Sequence, residues 1–107
     1  MTVDLTERLE AMLAQGRDGA PLRLALATRY LEAGDAERAA QHAAVATTLD
    51  PDYSAAWKLL GRAHAAAGRT DAAAEAYERG IAAAERRGDR QAAKEMQVFL
   101  KRLRRPG

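Results

Sequence analysis

Displaced by about 34 residues against itself, the chain superimposes Leu26 on Leu60, Ala33-Gly34 on Ala67-Gly68, and Ala39-Ala40 on Ala73-Ala74. Tyr30 then falls on His64, Ala27 on Gly61 and Ala46 on Gly80. Identity is modest, but the matches fall where packed helices need them. Small residues recur where two helices cross closely, and glycine recurs at the turn between them. A unit of this length cannot bury its apolar face alone, so copies must stack and the ends of the stack must be capped.

The unit is helical. Apolar residues make up 48% of the 107-residue chain and aromatics only 5%, so the apolar fraction is mostly alanine and leucine. Alanine has the highest helix propensity, with Leu, Arg, Glu, Lys and Gln close behind, while the residues that strands favour are sparse. Glycine, proline and aspartate divide the chain into helical segments. Asp4 to Gln15 carries Leu5, Leu9, Met12 and Leu13 at helical spacing and ends at Gly16-Arg17-Asp18-Gly19. Pro21 sits in the first turn of a second helix, which presents Leu22, Leu26 and Tyr30 and stops at Gly34. Asp35 caps a third, running to about Leu49 and closed by Asp50-Pro51-Asp52. A fourth, from about Ser54 to Ala67, includes Trp57, Leu60 and His64, with Ser54 read as its cap. Thr70 is read as the cap of a fifth, which contains Ala73, Tyr77, Gly80 and Ile81 and runs into Arg86-Arg87. After Gly88-Asp89, the last helix carries Ala92, Ala93, Met96, Phe99, Leu100 and Leu103. The short connections predict antiparallel helical hairpins.

Trp57-x-x-Leu60-Gly61-x-x-His64, followed by Ala73-x-x-x-Tyr77, resembles the tetratricopeptide signature W-x₂-L-G-x₂-Y…A-x₃-F. The preceding copy reads Arg23-x-x-Leu26-Ala27-x-x-Tyr30, then Ala39-x-x-x-Ala43, and closes on Pro51. Its departures are Arg23 for the tryptophan and Ala43 for the aromatic; in the second copy they are His64 for the tyrosine and Glu85 for the proline. The resemblance covers nearly the whole chain and implies an all-α fold of about six helices. Antiparallel hairpins would stack as a short right-handed superhelix, in a single domain over 1–107. Its expected parts are an N-terminal half-repeat helix (1–19), repeats at 20–53 and 54–87, a capping helix (88–105) and a tail (106–107). Leu5, Leu9 and Met12 support the half-repeat, lying one period upstream of Ala39, Ala43 and Ala46.

The same resemblance implies a non-catalytic protein- or peptide-binding scaffold or adaptor, with the first helix of each hairpin lining a concave face. Projected onto this chain, that face is Leu24, Thr28 and Leu31 from one hairpin and Lys58, Arg62 and Ala65 from the next. Lys58 and Arg62 are four apart and share a helical face. Such a basic pair suits an acidic side chain or a terminal carboxylate, so the expected partner is an acidic protein or peptide. One subset of the family clamps a C-terminal carboxylate with lysines and asparagines. Leu24, Thr28 and Leu59 stand at those positions here, so that clamp is not implied. Two alternatives remain: homo-oligomerisation through apolar edges of the short stack, and nucleic-acid association through Lys101-Arg102-Leu103-Arg104-Arg105. The second is the weaker. Cations near a helix C-terminus are favourable in themselves, no aromatic interleaves for base stacking, and nucleic acid is not the expected partner.

Nothing points to catalysis, a cofactor or a metal. His64 replaces a tyrosine facing the hairpin interior and reads as a packed, hydrogen-bonded residue; His42 reads as a surface residue. Two isolated histidines with no cysteine and no H-x-x-x-H spacing make a poor zinc site, and no phosphate-binding glycine pattern appears. Glu7, Glu10, Glu32, Glu37, Glu75, Glu78, Glu85 and Glu95 mostly lie three or four residues from a basic side chain, which predicts weak local pairs. The net charge of +2, from 17 basic and 15 acidic residues, describes a solvated surface and not a nucleic-acid or membrane footprint. No stretch approaches the roughly 20 apolar residues that span a bilayer, and Met1 to Glu7 has no secretory character. The expected setting is the cytoplasm, and the abundance of alanine and arginine points to a high-GC bacterial genome.

Overall fold

The computed structural model describes residues 4–105, so residues 1–3 and the 106–107 tail lie outside the described residues. Among those described there are six helices and no strand: α1 Leu5–Ala14, α2 Ala20–Glu32, α3 Ala36–Leu49, α4 Ser54–Ala66, α5 Thr70–Arg86 and α6 Arg90–Leu103. The all-α expectation holds.

Helix ends follow local chemistry. After α2 and α4 the chain passes through Gly34 and Gly68, at φ of +83° and +79°. Asp35 N–H then bonds back to the Tyr30 carbonyl at 2.8 Å, and Arg69 N–H to the His64 carbonyl at 2.9 Å. These bonds satisfy carbonyls that a helix end leaves orphaned, and glycine reaches the required φ without a Cβ penalty. α3 ends differently. Pro51 has no N–H with which to continue the helix, and Tyr53 N–H closes a turn onto the Asp50 carbonyl at 3.1 Å.

Asp35 and Asp89 cap α3 and α6, their carboxylates accepting the Arg38 and Ala92 N–H at 3.1 Å each. The caps expected of Ser54 and Thr70 do not form. Each is the first helical residue, and the cap positions belong to Tyr53 and Arg69, which make no side-chain cap bond. The turn bonds of Tyr53 and Arg69 bring the chain into the helix one residue earlier than those caps require.

Each helix from α2 onward packs on its successor. In addition α2 touches α4 and α4 touches α6, whereas α3 and α5 do not meet. The stack therefore curves, with α2, α4 and α6 as its inner layer and α3 and α5 outside. The backbone of α1 comes close to α2 alone among the described helices, its side chains also reach α3, and it buries no residue.

The core is built on proximity. Ala27, Ala39, Ala43, Ala63 and Ala73 are completely buried, and side chains this small let helix backbones approach. At Gly61 the approach is closer still: an added Cβ would lie 2.6 Å from Tyr77 Cδ1. One period earlier the equivalent pair is Ala27 and Ala43, both in the same core cluster. The two hairpins thus divide the same space differently, alanine on alanine in one and glycine under tyrosine in the other.

Gly61→Ala should therefore destabilise the chain by about 1–3 kcal/mol through overpacking, although glycine to alanine in an unobstructed helix gains up to about 1 kcal/mol. In a Tyr77→Leu background, where the ring is gone, the same substitution should become neutral or stabilising. Urea unfolding of the four proteins checks both signs.

Candidate functional site

The inner layer carries all six residues that the sequence assigns to a binding face. On α2, Leu24 and Leu31 are half-buried against the core. Thr28 between them is exposed, its hydroxyl donating to the Leu24 carbonyl at 2.9 Å. On α4, Arg62 and Ala65 are exposed and Lys58 is half-buried. Lys58 and Arg62 are not equivalent. Lys58 Nζ lies 3.7 Å from Glu95 Oε1 on α6, whereas Arg62 forms no ion pair among the described residues. A cleft of about 210 Å³ separates α4 from α6, with Ser54, Lys58, Asp89, Gln91, Glu95 and Met96 on its walls. α6 thus contributes to this face, and Glu95 is a member that sequence reasoning missed; no local motif marks it.

A second groove opens on the outer side, between α3 and α5. It encloses about 460 Å³ and is lined by Thr47, Thr48, Trp57, Leu60, His64, Glu75 and Arg79 among others. The Trp57 indole N–H donates to the Pro51 carbonyl at 2.8 Å, and the Arg79 guanidinium sits 5.7 Å from the indole ring centre. Trp57 is thereby held at its N–H edge and on its face.

The histidines are both structural, one as expected and one not. His64 Nδ1 accepts from Arg69 Nε at 3.0 Å, and Arg69 in turn pairs with Glu37 of α3. His42 is not a surface residue. Its side chain is only 13% exposed and stacks on Tyr30 at 5.5 Å between ring centres. His42 Nδ1 lies 3.1 Å from Arg23 Nη1. A guanidinium can only donate, so Nδ1 is the acceptor and the proton resides on Nε2, which faces Glu10 Oε1 at 3.5 Å. Glu10 also accepts from the Tyr30 hydroxyl at 3.1 Å. Arg23 holds Asp18 with two bonds, Nε to Oδ1 at 2.8 Å and Nη2 to Oδ2 at 2.9 Å; these hold the Asp18 carboxyl below its usual range and raise Arg23. The residue standing at the tryptophan position thus organises a polar junction joining α1, α2 and α3.

Burial lowers the pKa of both histidines. Arg23 and Arg38 add to the effect at His42 against Glu10 and Asp18, and Arg69 adds to it at His64 against Glu37. The carboxylates also depart from the local pairing expected of them. Glu32 and Glu75 do pair within their helices, but Glu10, Glu37, Glu78 and Glu95 reach other elements. Among the described residues no group of histidines and carboxylates is placed to hold a metal ion, and no helix is long and apolar enough to cross a membrane.

Comparison with known proteins agrees with this architecture. A family model of the tetratricopeptide repeat matches residues 30–96. A TPR repeat-containing protein of Pseudomonas aeruginosa is 54% identical over 99 residues, 92% of this chain and 94% of that protein. A heat-shock protein cognate co-chaperone of Aspergillus fumigatus is 46% identical over 57 residues, 53% of this chain but 17% of that protein. The solution structure of a Bordetella parapertussis protein superimposes with a TM-score of 0.82 at 48% identity, covering 95% of this chain and 89% of that one. A tetratricopeptide repeat domain protein from Salinibacter ruber superimposes at 0.74 with 29% identity, covering 81% and 88%.

Both histidines accept from an arginine, so protonating either places donor against donor. The unfolded chain, with ordinary histidines near pH 6.5, binds protons before the folded one does. Stability should therefore be full above pH 6.5 and fall as the pH drops below it. Thermal unfolding between pH 7.5 and 5.5 checks this, and a His42→Asn, His64→Asn variant should show a flatter pH dependence across that range.

Proposed function

Because the chain belongs to the tetratricopeptide repeat family, a family of protein-interaction scaffolds, we propose that it is a non-catalytic cytoplasmic adaptor holding an acidic peptide segment on its inner face. The observation that carries this reading is the contrast between Lys58 and Arg62. Glu95 already engages Lys58, while Arg62 stands exposed on the same helix and forms no ion pair among the described residues. An arginine in that state offers two parallel donors to a carboxylate. Thr28 and Ala65 are small enough for a backbone to pass, and Leu24 and Leu31 supply apolar contact. The chain acts as one domain in this reading, with the two hairpins at 20–53 and 54–87 and α6 forming the inner face together.

A terminal-carboxylate clamp fits these residues poorly. Leu59 is 5% exposed and belongs to the core, and the Thr28 hydroxyl is already committed to the Leu24 carbonyl. The likeness to the Aspergillus co-chaperone therefore supports the scaffold without transferring that protein's role.

The test is capture of a partner from extract of the source cells, followed by titration with the captured protein. Arg62→Glu should weaken binding at least tenfold, equivalent to about 1.4 kcal/mol. Lys58→Met should do less, because that lysine is already paired. Arg8→Glu, on α1, should do nothing. Equal binding by wild type and Arg62→Glu would remove the inner face from consideration. A concentration-dependent dimer in sedimentation, with no partner captured, would favour self-assembly instead.

A further inference from the structure

Stack capping alone does not account for the cations of α6. Residues 90–105 hold six of the 17 basic residues and one of the 15 acidic ones, a local charge of +5; residues 1–89 hold eleven and fourteen, a charge of −3. The near-neutral total conceals this segregation. Favourable placement at a helix C-terminus covers Lys101 and Arg102, in the last turn. It opposes Arg90, which begins the helix with no acidic residue in the first turn, and it does nothing for Lys94.

Geometry gathers these side chains. Arg90, Lys94, Gln97 and Lys101 follow one another at helical spacing on one face. Arg90, Lys94 and Gln97 border one shallow depression of the surface, and Gln97, Lys101, Arg104 and Arg105 border the next. Gln97 joins the two into a single row, about 16 Å from Arg90 to Lys101 at 1.5 Å per residue. All of these residues are exposed. Among the described residues Arg104 alone in the row is ion-paired, with Glu78, and the one carboxylate of α6, Glu95, is turned to Lys58.

We infer that this row is a docking surface for the phosphate backbone of double-stranded nucleic acid. Other polyanionic partners fit it less well. The apolar face of α6 is packed on α5 through Ala93, Met96 and Phe99, so it cannot enter a membrane interface as amphipathic helices do. The row has no aromatic to stack on unpaired bases, and its apolar neighbours are two aliphatic side chains, Leu100 in the second depression and the exposed Val98, not the aromatic-rich centre that protein interfaces are built around. What remains is charge in a line one helix wide, mostly arginine, whose guanidinium matches phosphate in two-point contacts. Glu85 lies beside Arg90 and Lys94, where a flat anionic surface would meet it. A linear polyanion can lie along the row without doing so.

Fluorescence anisotropy with a labelled DNA duplex of about 20 base pairs tests this on the full chain. Wild type should bind, and affinity should fall on the order of 100-fold between 50 and 200 mM salt if about four phosphates are neutralised. Arg90→Glu with Lys94→Glu should weaken binding at least tenfold. Arg8→Glu with Arg17→Glu changes the net charge equally at the opposite end of the stack and should have little effect; circular dichroism verifies that both variants fold. Three results would overturn the assignment: no duplex binding by wild type at 50 mM salt, equal losses in the two double variants, or cosedimentation with phosphatidylglycerol vesicles in the absence of duplex binding.

Discussion

The separation of two packed helices is set by the side chains at their crossing, and here those side chains are alanine and glycine. An alanine buries little apolar surface, so the core gains less per residue than a leucine core would. It compensates through backbone proximity, which brings many weak contacts into range at once. The comparison of Ala27 on Ala43 with Gly61 under Tyr77 shows the constraint at work. Volume removed from one helix reappears on its neighbour, and the spacing is preserved. Every other feature of the stack, from the curvature of the inner layer to the reach of Lys58 toward Glu95, presupposes that spacing.

Where the first hairpin lacks a tryptophan, it holds its geometry by different means. Arg23 is a charge with an 18% exposed side chain, tolerable because Asp18 meets it in a two-point pair and His42 accepts from its third nitrogen. The junction also explains why α1 stays in place although it buries no residue. Glu10 ties it to Tyr30 and His42, and Arg29 reaches Thr6 and Asp4. An element whose apolar residues are at most half-buried belongs to the low-stability end of a structure. The N-terminal end of the stack is accordingly its softer end, and the C-terminal end, where Met96 is completely buried, its firmer one.

What could be read from the sequence was what is local. Helices, glycine-terminated turns and the caps at Asp35 and Asp89 depend on residues within a few positions of one another, and the repeat aligned them. The caps at Ser54 and Thr70 failed because capping turns on a single residue of register, which composition does not specify. His42 was misplaced because its neighbours Glu10 and Arg23 are distant in sequence and converge only when α1 folds over α2. The six residues projected from the family pattern lie on α2 and α4, but their states could not be projected. That Lys58 is engaged and Arg62 is not depends on where α6 comes to rest, and α6 runs out of step with the repeat. Its buried Ala93 and Met96 stand 36 residues after Trp57 and Leu60, two more than the period predicts.

That shift bears on how the stack ends. In the shifted register Gln97 stands where α4 has Gly61, the position that lets an outer helix approach. A further helix could not pack there at the same distance, and the flanking cations would be stranded beneath it. Termination requires only that the outward face be polar. Elsewhere the surface meets that need with both signs, as at Glu75 with Arg79 or Asp52 with Arg86. Along the outer face of α6 the sign is single, and like charges four residues apart on a helix repel. A row that works against the helix bearing it, and against the positive helix end at which it starts, is more than a solvated surface requires. The excess is what an external polyanion would relieve.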